Sequence, residues 1–234
     1  MRLHRFFIES NIDKEKINTS SSEGLLHQMK SVFRFHDGIQ FILFNGQAVD
    51  YVCEVVSLTR KELVFRVLET REVKRYSACN LSLAFSLIKK DNVEWVIQKG
   101  TELGVSEFIP LVSERSEKKG FNMDRAKRIV IEACEQSGRA EIPKIRETTT
   151  LADFLAGDEG KVVVLHTEGE AFNARLLDAE RGDKVVACIG PEGGWSEKEI
   201  ALFGEKGASF VTLPTPVLRA ETAAIATAAL FLVR

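Results

Sequence analysis

Residues 184–200 read KVVACIGPEGGWSEKEI, and this stretch decides the fold class. A continuous apolar strand runs into a glycine-rich turn at residues 190–194, and a helix follows. Ser196 and Glu199 have the spacing of a capping box, in which each side chain accepts a hydrogen bond from the backbone N–H of the other. A strand, a glycine turn and a capped helix in this order predict an α/β fold that binds ligands at the carboxyl ends of its strands.

The chain from about residue 80 onward repeats this alternation of strand and helix. We predict five apolar strands: LSLAFSLI (81–88), FIPLV (108–112), KVVVLH (161–166), KVVACIG (184–190) and SFVTL (209–213). We predict helices over residues 92–103, 124–138, 173–178 and 197–206, and from Ala220 onward. Continuous apolar strands are typical of a parallel sheet whose two faces are both covered.

The first 70 residues have a different pattern. They contain three β-rich runs: FILF (41–44), YVCEVVSL (51–58) and LVFRVL (63–68). An Asn45-Gly46 turn between the first two runs indicates a β-hairpin. We therefore predict a small β domain over residues 1–72 and an α/β domain over residues 73–234.

The composition indicates a globular protein without a general attraction for polyanions. The chain of 234 residues is 44% hydrophobic and has a net charge of −2, so a nucleic-acid site must be local. Residues 60–75 are rich in basic side chains, which a solvated surface explains as well as an RNA track does. No apolar run approaches a membrane span and the N-terminus lacks the features of a signal peptide, so we expect a cytoplasmic protein.

Cysteine and histidine give no sign of a metal centre. The four cysteines are Cys53, Cys79, Cys134 and Cys188, and no two of them form a C-x-x-C pair. This scatter favours buried, reduced thiols over a zinc site or a disulfide framework. We expect neither a metal nor nucleophilic catalysis.

The chemistry of the glycine turn narrows the kind of ligand. It lacks the spacings of a dinucleotide fingerprint and of a P-loop, and Glu192 would repel a pyrophosphate. An acid beside exposed backbone amides suits ribose hydroxyls, an adenine edge or a positive centre, and S-adenosylmethionine has all three. A purely structural turn explains the same residues, so both interpretations stay open.

The last 25 residues contain a second unusual pattern. Arg219, Glu221 and Thr222 cluster at the start of a helix that is otherwise alanine and aliphatic, and such a helix must be buried. Its alanines permit close packing in a dimer interface, although burial within one subunit explains them equally well. Arg219 and Glu221 can equally form a simple salt bridge.

Longer strings of the sequence resemble a known family. HTEGE (166–170), GPEGGWSEKE (190–199) and LRAETA (218–223) are similar, in order and spacing, to the three C-terminal loops of SPOUT methyltransferases. More narrowly, the whole chain resembles the RsmE family, which methylates uridine N3 in ribosomal RNA. That resemblance rests also on MRLHRFF (1–7), QKGTELGVSEFIPLVSERS (98–116) and EACEQSGRAEIPKI (132–145).

The resemblance implies a fold, a cofactor and a reaction. The expected fold is α/β, a SPOUT trefoil-knot domain preceded by a small PUA-like β-barrel, and the expected assembly is a homodimer through the knotted domain. The expected reaction is S-adenosylmethionine-dependent methylation of N3 of a specific uridine in 16S ribosomal RNA of the small subunit. The implied cofactor-binding residues are Leu165, His166, Gly169, Ile189, Gly190, Glu192, Gly193, Gly194, Leu213, Leu218 and Arg219.

Two further roles follow from the chemistry of this reaction. Uridine N3 is a poor nucleophile until it loses its proton, so a cation that stabilises the uracil enolate is needed. Arg219 is our candidate, with Glu221 orienting its guanidinium. Phosphate contacts from the N-terminal domain would position the RNA. The candidate RNA-binding residues are Arg2, Arg5, His27, Arg34 and Arg139.

The sequence departs from the family at one loop, and alternatives remain. Where the family usually has Leu-Gly-x-Arg, this chain has Leu213-Pro214-Thr215-Pro216, and a proline cannot donate a backbone hydrogen bond. The alternatives are a SPOUT methyltransferase acting on another RNA, a noncatalytic RNA-binding ribosome-assembly factor, and a small-molecule α/β enzyme that binds a nucleotide at the glycine turn.

Overall fold

The computed structural model describes residues 3–73, 79–116, 120–172 and 184–233. The chain forms two compact units, one made of residues 1–75 and 134–142 and the other of residues 76–133 and 143–234. The helix predicted over residues 173–178 lies outside the described residues. The predicted domain boundary at residues 72 and 73 stays a prediction.

The first unit is built on a mixed sheet. Its described elements are β1 (Arg5–Phe7), β2 (Ile17–Ser20), α1 (Glu23–His27), a π-helical turn (Gln28–Val32), β3 (Gln40–Phe44), β4 (Val49–Leu58) and β5 (Leu63–Glu72). The five described strands lie in the order β1-β3-β4-β5-β2. β1 pairs with β3 in parallel, and the other pairs are antiparallel.

The hairpins predicted in this unit are confirmed. β3, β4 and β5 coincide with the three predicted β-rich runs, and Gly46 in the first turn has a φ of 84°, which favours glycine. Phe41, Leu43 and Phe65 are fully buried in one apolar cluster, because alternate residues of a strand face the same side. β1, β2 and α1 were not predicted.

The second unit is built on a parallel sheet. Its described helices are α2 (Lys90–Leu103), α4 (Leu151–Ala156), α5 (Glu197–Glu205) and α6 (Ala220–Leu232), and α3 (Met123–Ser137) begins in this unit and ends in the first. Its described strands are β6 (Asn80–Ser86), β7 (Glu107–Val112), β8 (Lys144–Ile145), β9 (Thr149–Thr150), β10 (Lys161–Ala171), β11 (Lys184–Ile189) and β12 (Ser209–Thr212). They lie in the order β12-β10-β11-β6-β7-β8, with β9 also paired to β7, and every pair is parallel.

The α/β class and the covered parallel sheet are confirmed. All five predicted strands are present, and each begins within two residues of its predicted first residue. The predicted helices that fall on described residues are present as well. Val164, Val186 and Cys188 form an apolar cluster with α4 and α5, whereas α6 packs on β6 and β11. Residues of the other parity, such as Leu83 and Val185, are buried as well, so helices cover both faces.

Two global features complete the description. No described helix has the length and apolar character needed to cross a membrane. All four cysteines are free and buried, as predicted. Burial raises the pKa of the Cys53 thiol to about 12 and that of Cys134 to about 11, and it raises the pKa of Cys188 further. These thiols stay protonated, because the thiolate is the form that burial disfavours.

Candidate active site

A cavity of about 610 Å³ opens where β11 and β12 end, beside residues 165–167 of β10. Its wall is formed by three segments, which we call the cavity loops, together with Arg115 and Ala223. They are residues 165–167, which lie within β10 where its pairing with β12 shifts register, and residues 189–195 and 211–220 at the ends of β11 and β12. We call this side of the sheet the carboxyl edge. Parallel sheets place their ligand sites at this edge, because the loops leaving neighbouring strands converge there.

The glycine turn has the geometry that the sequence predicts. The N–H of Gly194 donates to the carbonyl of Pro191 at 2.8 Å, and Gly194 has a φ of 69°, which favours glycine. The predicted capping box is confirmed: the N–H of Ser196 donates to Glu199 Oε2 at 2.8 Å, and the N–H of Glu199 donates to Ser196 Oγ at 3.3 Å. The start of α5 therefore fixes one end of the loop that lines the cavity.

Most of the residues predicted to bind the cofactor lie in the wall of this cavity. They are Leu165, His166, Ile189, Gly190, Glu192, Gly193, Gly194, Leu213, Leu218 and Arg219. Gly169 does not line it. A Cβ atom on Gly169 would lie 2.6 Å from the backbone of Val211, so the structure gives this glycine a different task. It permits the extension of β10 to pair closely with β12.

Arg219 and Glu221 begin α6 beside the cavity. Arg219 is exposed at the N-cap position and lines the cavity, whereas Glu221 lies in the first turn and does not line it. The described residues contain no ion pair between these two side chains. Glu221 Oε2 is instead buried and has no hydrogen-bond partner among the described atoms.

The indole of Trp195 contributes a second unsatisfied polar atom. Trp195 is 4% exposed and packs edge-on against Phe203 at 5.0 Å, and its ring also forms part of the cavity wall. Its Nε1 atom has no hydrogen-bond partner within the part of the chain that is described. A buried donor without a partner is costly and rare in a native protein.

Eleven residues that line the cavity were not among the predicted cofactor-binding residues, and Arg115 is the one with a signal in the sequence. Arg115 follows the carboxyl end of β7, and its guanidinium Nη1 donates to the carbonyl of Gly193 at 2.8 Å. The rule that placed the glycine turn at a strand end applies equally to this arginine. The other ten are Thr167, Pro191, Trp195, Val211, Thr212, Thr215, Pro216, Val217, Ala220 and Ala223.

The candidate RNA-binding residues do not share one environment. His27 and Arg34 are exposed on the first unit, and Arg34 has a φ of 53°. Arg139 is half-buried, and Arg2 lies outside the described residues.

Arg5 is different, because its guanidinium is buried and both of its terminal nitrogens are engaged, although its Nε atom has no hydrogen-bond partner among the described atoms. It forms an ion pair with Asp50 at 2.6 Å, donates to the carbonyl of Cys134 at 2.8 Å and lies 4.5 Å from the centre of the Phe44 ring. Its side chain is 5% exposed. The structure therefore does not present Arg5 to a phosphate, and its charge serves the core of the first unit.

An aromatic surface lies beside Arg34. The rings of His4 and Phe33 are 4.3 Å apart, and Phe33 also packs edge-on against Phe6 at 5.5 Å. Phe33 is 37% exposed and the neighbouring Val32 is 60% exposed. Exposed apolar side chains between cationic residues are typical of surfaces that bind single-stranded nucleic acid.

No group of three or more His, Cys, Asp or Glu side chains in the described residues is arranged to hold a metal ion.

Comparison with known proteins agrees with this geometry. The model of the RNA methyltransferase domain family matches residues 75–232. A Rickettsia conorii protein named Ribosomal RNA small subunit methyltransferase E is 30% identical, with 96% of this chain and 93% of that protein covered. A Bacillus subtilis protein of the same name is 31% identical, with 94% of this chain and 93% of that protein covered.

Solved structures show the same likeness. A Legionella pneumophila methyltransferase in complex with S-adenosylmethionine superposes with a TM-score of 0.90 at 30% identity, covering 99% of this chain and 97% of that one. A Neisseria gonorrhoeae Ribosomal RNA small subunit methyltransferase E bound to S-adenosylmethionine has a TM-score of 0.89 at 27% identity, covering 98% and 96%. The chain therefore belongs to the RNA methyltransferase family, in the group of proteins named ribosomal RNA small subunit methyltransferase E.

Proposed function

We propose that this protein is an S-adenosylmethionine-dependent methyltransferase that methylates N3 of a specific uridine in 16S ribosomal RNA of the small subunit. The cavity at the carboxyl edge carries this proposal. It gathers three loops of a parallel sheet around a space of about 610 Å³, which is within the usual range for small-ligand sites.

The residues of the cavity fit S-adenosylmethionine. Its wall combines apolar side chains, such as Leu165 and Ile189, with the backbone of a glycine turn, which suits an adenine ring and ribose hydroxyls. Glu192 supplies a negative charge that suits a sulfonium and opposes a polyphosphate.

In this proposal the three loops hold the cofactor mainly through backbone groups of residues 165–167, 189–194 and 213–219. When bound, S-adenosylmethionine supplies an activated methyl group on a good leaving group. The protein's own task is to orient the uracil ring toward that methyl and to exclude water from the cavity.

Arg219 stabilises the uracil. Its side chain is exposed in the cavity wall, so its guanidinium is free to approach a carbonyl oxygen of the uracil ring. The N3 proton passes to solvent as the uracil binds, and its loss places negative charge on the two neighbouring carbonyl oxygens. A fixed cation beside one of them favours the deprotonated base. Glu221, in the first turn of the same helix, orients Arg219 once the substrate is bound.

The first unit provides a second RNA-binding surface. Arg34 and His27 are exposed, and the partly exposed Phe33 ring, which is tilted by 46° against His4, offers a face for one unpaired base. Phosphate contacts position an RNA, and stacking adds affinity without reading sequence. Arg2 and Arg139 remain candidates for phosphate contacts.

The finer features of the fold belong to the same proposal. The all-parallel order of the sheet and the convergence of three loops support a trefoil knot in residues 73–234, and the mixed five-stranded sheet supports a PUA-like barrel in residues 1–72. Trp95, Leu230 and Val233 are exposed apolar side chains in or beside α2 and α6, and this supports a homodimer through the second unit. A ribosomal substrate supports a cytoplasmic location.

The test is methylation of small ribosomal subunits that lack the modification. The protein is incubated with these subunits and S-adenosylmethionine carrying a labelled methyl group, and the RNA is then read by reverse transcription. A methyl group at N3 blocks base pairing, so we expect one new stop at a uridine of 16S RNA. Subunits that already carry the modification are the control and should accept no label.

Other results would identify the alternatives. Label on a ribose or on another RNA would show a methyltransferase with a different target. No label on any RNA, together with tight binding to the subunit, would show a noncatalytic assembly factor.

A further inference from the structure

Arg115 lies in a short loop that is tied to the glycine turn. The loop follows β7 and is closed on itself, because the N–H of Ser116 donates to the carbonyl of Ser113 at 3.1 Å. The N–H of Glu114 donates to Glu199 Oε1 at 2.8 Å, and Glu199 is the buried carboxylate of the capping box. The carboxylate of Glu199 therefore accepts one hydrogen bond from the backbone of the Arg115 loop, at Glu114, and one from the backbone after the glycine turn, at Ser196.

The side chain of Arg115 reaches the backbone of the cavity wall. Its Nη1 atom donates to the carbonyl of Gly193 at 2.8 Å and, at a longer 3.4 Å, to the carbonyl of Trp195. The N–H of the next residue, Gly194, donates to Pro191 at 2.8 Å. Both polar atoms of the peptide group between Gly193 and Gly194 are thus held, one by a side chain and one by the turn.

This peptide group needs such support more than most. It joins two glycines, and without a Cβ on either side the rotation of its plane meets little steric resistance. It also lies in the wall of the cavity, so its orientation decides whether a carbonyl or an N–H faces a ligand. A charge-assisted hydrogen bond to the carbonyl selects one orientation before any ligand arrives.

We infer that Arg115 is a positioning residue, which holds the Gly193–Gly194 peptide in the orientation that the cofactor requires. The identity of the ligand, S-adenosylmethionine, rests on the proposed function. The orientation of the Gly193–Gly194 peptide by Arg115 can be tested without any ligand. This role does not require Arg115 to contact the RNA. Its effect is to preorganise the wall, so that binding does not have to order the loop.

The first experiment measures amide hydrogen exchange of Gly194 without any ligand. Removing the guanidinium in Arg115→Ala should raise the exchange rate of this amide about tenfold, as expected for the loss of one charge-assisted hydrogen bond. Arg128→Ala is the matched control, because Arg128 is an exposed arginine of the same unit whose Nε donates to the carbonyl of Asp124 in its own helix at 3.3 Å. Unchanged exchange in Arg115→Ala would overturn the inference.

The second experiment is a double-mutant cycle with S-adenosylmethionine binding as its readout. A Cβ on Gly193 would meet Arg115 at an ordinary 3.5 Å, and the φ of Gly193 lies outside the left-handed range, so Gly193→Ala restricts the peptide without a clash there. Arg115→Ala should weaken binding about tenfold when residue 193 is glycine and about threefold or less when it is alanine. An equal loss in both backgrounds would show that Arg115 does not act through this peptide.

Two variants keep the outcome clear. If Arg115→Ala fails to fold, Arg115→Met retains the aliphatic stem and carries both measurements. Arg115→Lys should recover only part of the affinity, because a lysine cannot reproduce the planar guanidinium donor. Wild-type protein that binds no S-adenosylmethionine would contradict the proposed function, whereas the exchange of Gly194 would still decide the role of Arg115.

Discussion

The two edges of the parallel sheet use charged side chains in opposite ways. At the amino edge, where β7 and β11 begin, Arg146 forms paired hydrogen bonds of 2.7–3.0 Å with Glu107 and Glu159. Lys184 adds a contact of 3.3 Å to Glu159. Each charge in this network has a partner of the opposite sign, and the network closes the ends of several strands.

The carboxyl edge leaves its charges and donors less engaged. Arg219 is exposed in the cavity wall. Glu221 Oε2 and Trp195 Nε1 are buried, and neither has a hydrogen-bond partner among the described atoms. The comparison indicates that one sheet uses its two edges for different purposes. The charges of the amino edge are paired with one another and stabilise the fold, whereas Arg219 at the carboxyl edge is unpaired among the described residues and is exposed toward a ligand.

Arg219→Ala tests the carboxyl edge and should have the largest effect. We expect kcat to fall about 10²–10³-fold, as for the loss of a group that stabilises developing charge, while stability changes by less than about 0.5 kcal/mol. Single-turnover methylation and urea unfolding measure the two quantities. Arg128→Ala should change neither, and a wild-type rate in Arg219→Ala would remove Arg219 from the mechanism.

Arg146→Met tests the amino edge in the opposite sense. It leaves two carboxylates without their main partner, so we expect a loss of about 2–3 kcal/mol in unfolding free energy, below the range for fully buried pairs because Arg146 retains 31% exposure. The protein that remains folded should keep its kcat. Arg66→Met is the control, since its pair with Glu54 is more exposed and should be worth at most about 1 kcal/mol. Equal losses in the two variants would contradict a special role for the amino edge.

Acid should weaken the same edge. Burial opposes ionisation of Glu107 and Glu159, but the hydrogen bonds and charge of Arg146 outweigh it and hold both pKa values below the usual 4.5. Their contribution is therefore fully present above about pH 4.5, and it is lost as the pH falls through their folded pKa values. Urea unfolding from pH 7 to pH 3 should show the stability of the wild type approaching that of Glu159→Gln; a constant difference would argue against this linkage.

Phe33→Ala asks whether substrate binding extends beyond the carboxyl edge. Loss of one stacked base should weaken binding of the small subunit or its RNA by about 1–2 kcal/mol, without changing the affinity for S-adenosylmethionine. Phe33→Leu serves as the partner variant, because it retains apolar packing against Phe6 and removes the aromatic face. Equal RNA affinity of the wild type and both variants would show that Phe33 does not contribute to RNA binding.

Arg34→Gln should have the smallest effect. A lost phosphate contact lowers the slope of log affinity against log salt by about 0.7–0.9, with little change in which RNA is bound. Binding measured between low and moderate salt gives this slope. An unchanged slope would remove Arg34 from the RNA contacts.

The sequence predicted local structure well because local structure depends on nearby residues. Apolar runs gave the strands of the parallel sheet, and the spacing of Ser196 and Glu199 gave the start of α5. Segments on the same side of three predicted strands also form the cavity, since strand direction in a parallel sheet fixes where they meet.

Long-range partners explain what the sequence could not provide. Arg5 looks like a surface cation in MRLHRFF, but Asp50 and Cys134 bury it from 45 and 129 residues away. Gly169 resembles a ligand-loop glycine, yet its position is set by the backbone of Val211. The ion-pair network around Arg146 likewise joins residues that are far apart in the sequence, so no local sequence pattern predicts it.

The most direct test of the central claim is calorimetric titration of the protein with S-adenosylmethionine, with ATP and NAD as parallel controls. Our account predicts selective binding of S-adenosylmethionine with roughly micromolar affinity, or about −8 kcal/mol. It also predicts a clear loss of affinity in Arg115→Ala. Failure to bind S-adenosylmethionine, or tighter binding of ATP or NAD, would contradict the assignment of the carboxyl-edge cavity as the methyl-donor site.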